Sequence, residues 1–365
     1  MFTYELNQER KDQLSVNPKL NANSPIVEIF SAVAEGRDLS KYGKNVDKTM
    51  SYVKELAERA AKNDPMAKSE INEIVRYSIE PNLQKEIRLF DFMGTFRTIG
   101  FNEQPMMKTY SHDSIRSNFQ ASRGDVPFGT TEWREYAIGT QAISSGYVVD
   151  YRELMSGNLD KVAEGKQQVQ IDIRNKAALY VVIEMYNALK NATGIKYFGE
   201  AEGLTKGSVD DTLTKVRRFG RPNITGDYSV ISQLSGFQGY STNTPANSNV
   251  PEAALEELRK TGLLSAYSGS SIVELPNQYD LTKKNTKGDN FATLLPEGLL
   301  FFIPQGAVSP LQVFQRGGLT SATGFDPISG KEMTRFDLEI GSGVAEGREH
   351  EIGLLSDTSF EMPEI

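Results

Sequence analysis

The chain has two histidines, His112 and His350, and no cysteine. Disulfides, thiolate nucleophiles and Cys-ligated zinc are therefore excluded. Two isolated imidazoles without an HExxH pattern make a poor metal site, and each reads as a solvated loop residue. No serine lies in a GxSxG elbow that would expose a nucleophile to a base, and no GxxxxGK[ST] loop is present to cradle phosphate. Aspartate and glutamate number 48. Any two of them could be drawn as an acid/base couple, and nothing in the sequence selects a pair. The expectation is no catalytic, cofactor-binding or metal-ligating set.

Four further stretches carry a bland and a functional reading. Arg123-Gly124-Asp125 matches an adhesion tripeptide and equally a turn in a loop. Asn223-Ile224-Thr225 is a glycosylation acceptor only in a secreted chain. Gly341-Ser342-Gly343 with Gly347 lacks the spacing of a nucleotide loop and is expected to form a hairpin turn. Lys215, Arg217, Arg218 and Arg221 form either a solvated helix face or a charged rim facing carboxylates of a neighbouring molecule.

Composition sets the frame for these. The apolar fraction is 38%, the charged fraction 24% and the net charge −8. That is a globular composition, and its acidity argues against a dedicated nucleic-acid binder. The beginning, MFTYELNQERKD, has no basic start followed by an apolar run and is not read as a signal peptide. The apolar runs AALYVVI (177–183) and LLFFI (299–303) are too short to cross a bilayer.

Residues 1–24 read as a polar arm. Met50, Val53, Leu56, Ala57, Ala60 and Ala61 follow helical spacing, and Asp64-Pro65 caps and opens a second helix with Met66, Ile71, Ile74 and Val75. Residues 96–110 turn extended. Residues 111–147 are a long excursion expected to form a two-stranded ribbon, and a coreless loop of that length tends to be functional. A long helix follows, capped by Asn158 and running to Asn191, with Gly165 placed to bend its first turns. Ile171, Ala178, Val182, Met185 and Leu189 form one apolar row, and Val169, Ile173, Ala177, Tyr180 and Val181 a second. Such a helix is buried on several sides. Between 205 and 315 short helices (210–219, after Asp227, and from Pro251) alternate with strands at 271–275 and 299–303, the latter bounded by Gly298 and Pro304. Thr334, Phe336, Leu338 and Ile340 alternate with polar residues as a half-buried strand that must pair with earlier chain.

This order of parts resembles the major capsid proteins of tailed bacteriophages, the Hong Kong 97-like fold also used by encapsulin shells. The resemblance lies in the loop 111–146 leading into YVVDYRELMSGNLDKVAEGKQQVQIDIRNKAALYVVIEMYNALKN, then FGRPNITGDYSVISQLSGF and LLPEGLLFFIPQGAVSPLQVF. It implies an α+β fold in five parts. These are an N-terminal arm and helical segment (1–110), an extended β-ribbon loop (111–147), and a peripheral domain with the spine helix (148–204). An inserted axial α/β domain (205–315) and a return to the peripheral domain (316–365) complete it. The resemblance implies a non-enzymatic shell protein, assembled in the host cytoplasm as pentamers and hexamers into an icosahedral virion capsid around double-stranded DNA. No membrane or sequence-specific DNA contact is involved, and portal, scaffold and decoration proteins are possible partners. The loop would lie over a neighbouring subunit, which makes Arg123, Asp125, Trp133 and Arg134, with Lys215, Arg217, Arg218 and Arg221, the candidate inter-subunit contacts.

Some members of that family weld their shells through a lysine of the extended loop. Here no lysine occurs between Lys108 and Lys161, so a shell held without covalent bonds is expected. Three other classes remain open. An encapsulin-type compartment would hold protein cargo. An acidic carboxylate hydrolase would act as a monomer or small oligomer. A tail-tube or decoration protein would be β-dominated, against the long helix.

Overall fold

Apolar residues at helical spacing build the first described elements. The structure, a computed structural model, describes residues 24–34, 37–62, 64–88, 94–110, 117, 119, 128–129, 133–149, 160–237, 263–285, 288–305, 309–326 and 331–360. The expected arm, His112, Arg123, Asp125, the cap Asn158 and the helix from Pro251 lie outside these residues. Elements are numbered over the described residues.

The chain divides into two units, Met1–Leu89 with Gln141–Ala177 and Gly317–Glu339, and Phe90–Thr140 with Ala178–Arg316 and Ile340–Ile365. In the first unit, helices α1 (Pro25–Ala34), α2 (Asn45–Ala61) and α3 (Pro65–Arg88) pack together. Val27, Phe30, Val53, Leu56, Ala57, Ile71, Ile74 and Val75 are buried among them, as the spacing predicts. Asp64 opens α3 as expected, its Oδ1 accepting the Met66 N–H at 3.0 Å. A four-stranded sheet has the order β1 (Thr95–Ile99), β12 (Leu311–Asp326), β13 (Lys331–Val344), β4 (Gln141–Val149). The half-buried strand read from 334–340 is thus β13, and its partners are β12 and the earlier β4. The Thr334 hydroxyl of β13 meets Asn72 Oδ1 of α3 at 3.0 Å in a buried pair. Tyr147 stacks on Phe336, with ring centroids 5.8 Å apart.

The long helix is α4, Asp160–Asn191, 32 residues and about 48 Å long at 1.5 Å per residue. Val169, Ile173, Ala177, Ala178, Val181, Val182, Met185 and Leu189 are buried, and Tyr180 is half-buried, in line with the two apolar rows. Ile171 is the correction: it is 40% exposed and does not join the first row's burial. Gly165 does not interrupt the helix. A Cβ there would lie 3.1 Å from Cδ2 of Tyr147, so glycine makes room for that ring.

In the second unit a six-stranded sheet runs β5 (Tyr197–Ala201), β14 (Gly353–Asp357), β11 (Leu299–Gln305), β6 (Arg221–Gly226), β8 (Ser270–Glu274), β7 (Ala266–Tyr267). Strand β14 is parallel to β5 and antiparallel to β11; β6 is antiparallel to β11 and parallel to β8. Helices α5 (Lys206–Val216) and α6 (Tyr228–Ser235) cover it. Val209, Leu213, Val216, Ile224, Val230, Ile231, Leu300, Phe302 and Leu355 form that core. Asp227 caps α6, accepting from Ser229 N at 2.8 Å, as expected.

Four local readings differ from the sequence expectation. The helix expected at 210–219 is Lys206–Val216, because Thr205 and Ser208 form a reciprocal capping box. Pro304 does not end its strand: it pairs with Pro222 inside β11. Neither proline donates to the ladder, and β14 pairs only with Leu299–Phe302, so the missing N–H groups sit together beyond the fully paired segment. Gly341-Ser342-Gly343 is not a hairpin turn but part of β13. A Cβ on Gly341 would stand 2.9 Å from the Gly139 carbonyl oxygen, and one on Gly343 3.2 Å from Met107 Sδ. Close approach of another chain segment, and not a turn, requires those glycines. His350 is not a freely solvated loop residue: it is half-buried, its ring packed edge-on against Phe219 at 5.1 Å between centroids.

Asp357 closes the second unit's sheet to its helices. It is buried. Its Oδ1 accepts from Gly203 N at 2.8 Å, Ser359 N at 3.0 Å and Ser359 Oγ at 2.6 Å, and its Oδ2 accepts from Gln233 Nε2 at 3.0 Å. Burial alone would push this carboxyl up, but the hydrogen bonds from Gln233, Ser359 and Gly203 outweigh it and hold the pKa below the ordinary value. A depressed folded-state pKa contributes stability that is complete above the unfolded pKa and lost as pH falls through the folded one. Asp357→Asn should therefore cost about 2 kcal/mol at neutral pH, the loss of one charge-assisted hydrogen bond. It should also flatten the loss of stability on acidification below the usual aspartate range. Urea melts of both proteins between about pH 7 and pH 3 measure this; parallel acid slopes would remove Asp357 from the account.

Candidate inter-subunit surface

Two of the sequence-selected surfaces lie in the second unit. The first is the ribbon base. Strands β2 (Met106–Tyr110) and β3 (Trp133–Ala137) pair antiparallel, Met106 opposite Ala137 and Tyr110 opposite Trp133. Alternation divides the ribbon into two faces. On one, Lys108 stands opposite Glu135, with Nζ 2.6 Å from Oε1 and 4.5 Å from the Trp133 ring centroid. Trp133 on this face is 55% exposed; Arg134, which alternates onto the other face, is exposed too. The other face anchors the ribbon. Met107 is buried against Phe314 and Ala345. The Tyr136 hydroxyl donates to the Val344 carbonyl at 3.4 Å and accepts the Glu346 N–H at 2.9 Å. Burial pushes the Tyr136 phenol up. The ribbon is thus fixed at its root and leaves its indole outside.

The second surface is the basic cluster. Lys215 Nζ reaches Asp211 Oδ2, one helical turn earlier, at 2.5 Å. Arg217 Nη1 donates to the Ser268 carbonyl at 2.9 Å, and Arg221 Nε to the Gly269 carbonyl at 2.6 Å. Ser268 and Gly269 both have positive φ, 47° and 80°, in the two-residue turn between β7 and β8. Two left-handed residues suit a tight hairpin, and the two arginines hold its carbonyls. Arg218 is exposed, and its side chain meets no partner among the described residues. The sequence placed these cations together but could not show that two of them bind backbone carbonyls distant in the chain.

Two features escaped the sequence reading. One is the glycosylation acceptor's position: Asn223 and Thr225 are buried in β6. The other is a separate two-stranded hairpin, β9 (Tyr279–Lys284) with β10 (Phe291–Thr293). Its signal was present in the alternating Tyr279 and Leu281 followed by the turn formers of 285–290.

Among the described residues no cluster of three His, Asp or Glu side chains could hold a metal ion, and no helix is long and apolar enough to cross a membrane. The arrangement consists of anchored projections with exposed aromatic and charged tips. A family model described as "SPbeta prophage-derived putative capsid protein YonB" matches residues 13–356. The chain belongs to that capsid-protein family. This capsid-family chain also aligns with solved structures. The capsid of Cyanophage P-SCSP1u shares 14% identity at a TM-score of 0.49, covering 73% of this chain and 87% of that one. The capsid of Helicobacter pylori bacteriophage KHP30 shares 9% at 0.47, covering 71% and 87%. The SrpI encapsulin of Synechococcus elongatus PCC 7942 shares 11% at 0.44, covering 76% and 91%. No curated protein matches the capsid-family chain in sequence. Its described elements follow the α+β order expected of the Hong Kong 97-like capsid fold: helical segment, ribbon, long helix, mixed sheet and return strand.

Proposed function

We propose that this chain is the major capsid protein of a tailed phage, whose copies assemble as pentamers and hexamers into an icosahedral shell around double-stranded DNA. The observation that carries the reading is the capsid-family match along residues 13–356. The physical features agree with it. A 32-residue helix is a rod on which projections can be mounted. Head-to-tail contacts between identical copies close into rings when their rotation closes. Many modest contacts per subunit then hold the shell by multivalency.

In this proposal the extended loop 111–147 lies over a neighbour and the unit around 205–315 faces the ring axis. The chain acts as a structural component, assembled in the host cytoplasm, with portal, scaffold and decoration proteins joining the same virion. The net charge of −8 keeps the inner wall from gripping DNA of like charge. The expressed protein, viewed by negative-stain electron microscopy, should form uniform closed particles, sheets or rings. Those particles, boiled in SDS, should run as a single monomer band, since the loop holds no lysine. Protein that stays monomeric at high concentration defeats the shell reading. A ladder of covalent multimers defeats the non-covalent part. Protein cargo in place of DNA in virus-derived particles would move the chain to the encapsulin class.

A further inference from the structure

We infer that the β9–β10 hairpin of the second unit is an assembly contact, its apolar face covered by a second copy of this chain. The inference rests on the shell reading and assigns one of its contacts. The hairpin forms a two-stranded sheet of its own, with no edge joined to the six-stranded sheet. An isolated two-stranded ribbon is marginal in water, yet this one is firmly mounted. Asn277 Nδ2 donates to Asp227 Oδ2 at 2.8 Å and to the Leu295 carbonyl at 3.0 Å. Leu295 N donates back to Asn277 Oδ1 at 2.9 Å. A single side chain thereby ties both ends of the hairpin to the cap of α6, and Leu275 and Leu295 are buried beside it.

The mounted ribbon carries large apolar side chains into solvent. Tyr279 is 53% exposed, Leu281 73% and Phe291 44%. Tyr279 and Leu281 are two residues apart on β9, whose pairing with β10 shifts register between Phe291 and Ala292. A cluster of exposed apolar residues on a fixed projection marks an interaction site.

Charge selects the occupant. Lys283 and Lys284 are exposed beside this face, and their ammonium groups meet no carboxylate among the described residues. The chain they belong to carries −8. On the same unit, Glu202, Glu274 and Glu346 are exposed and meet no cation among the described residues. A head-to-tail neighbour therefore offers the opposite charge, and such complementarity sets register and encounter rate. Nucleic acid would match the lysines but leave Leu281 uncovered.

The absence of cysteine makes the test clean. Leu281→Cys introduces a single thiol, and its reaction with a maleimide is timed on assembled particles and on unassembled subunits separated by sedimentation. The expected result is labelling slower by about tenfold or more in particles, because an interface core excludes solvent. Phe291→Cys should behave likewise, and Lys283→Glu with Lys284→Glu should slow assembly most at low salt. Particles of the Leu281→Cys chain whose introduced thiol reacts as fast as in free subunits overturn the inference and leave the shell reading intact. Wild-type protein that never assembles overturns both. A Leu281→Cys chain that melts like wild type but cannot assemble supports the contact.

Discussion

A chain ending at Ile352 is expected to lose the folded second unit altogether. The deletion removes β14, which stands between β5 and β11 in the sheet. Leu354, Leu355, Ser356 and Asp357 are all buried there. The two leucines alone account for about 5 kcal/mol of burial, comparable with the whole stability of an ordinary domain. The loss is also directional. Strand β14 pairs on both sides, parallel to Tyr197–Ala201 and antiparallel to Leu299–Phe302. Without it two edges face water with unpaired N–H and C=O groups, and such edges seed aggregation. Expression of the truncated chain should move the protein to the insoluble fraction, and any soluble remainder should lack the wild-type cooperative melt. A soluble product melting at the wild-type temperature would show that β14 only decorates the sheet.

The second large effect is expected at the first residue of that strand. Helix α5 crosses the sheet at Gly353, where an added Cβ would lie 2.6 Å from Thr212 Cγ2, 2.9 Å from Val216 Cγ2 and 3.3 Å from Phe302 Cβ. All three neighbours are buried. None is the free end of a flexible chain, so Gly353→Ala must push the helix off the sheet. Overpacking of this kind costs about 3 kcal/mol, or roughly 6–12 °C of melting temperature for a domain of this size. The cause can be isolated. Thr212→Ser removes the nearest methyl, so the double variant should recover at least about 1 kcal/mol relative to additivity. Additive losses would mean that the damage comes from somewhere other than the α5 contact.

The long helix was legible because Val169, Ile173, Val182, Met185 and Leu189 repeat at helical spacing over many turns, and local periodicity survives any tertiary context. The capped starts at Asp64 and Asp227 were legible for a similar reason: the capping oxygen and its N–H partner lie two residues apart. What stayed hidden depends on residues far apart in the chain. Nothing in the short segment Gly353–Asp357 announces that it will sit in the middle of a sheet, since its partners are Tyr197–Ala201 and Leu299–Phe302. Gly341 and Gly343 looked like turn formers because a close crossing by Gly139 and Met107 leaves the same mark in sequence as a reversal. Arg217 and Arg221 looked like free charge because their acceptors, the carbonyls of Ser268 and Gly269, are backbone groups placed only by the turn itself. Of the candidate contact residues, Trp133, Arg134, Lys215, Arg217, Arg218 and Arg221 are exposed, and Arg123 and Asp125 lie outside the described residues.

The position of β14 also governs timing during synthesis. Translation delivers Tyr197–Ala201 early and Gly353–Asp357 late, so a polypeptide still on the ribosome holds a gap where its middle strand belongs. A finished six-stranded unit exists only after residue 357 has emerged. Late strand insertion thereby puts the greatest exposure to misfolding in the interval before residue 357 emerges.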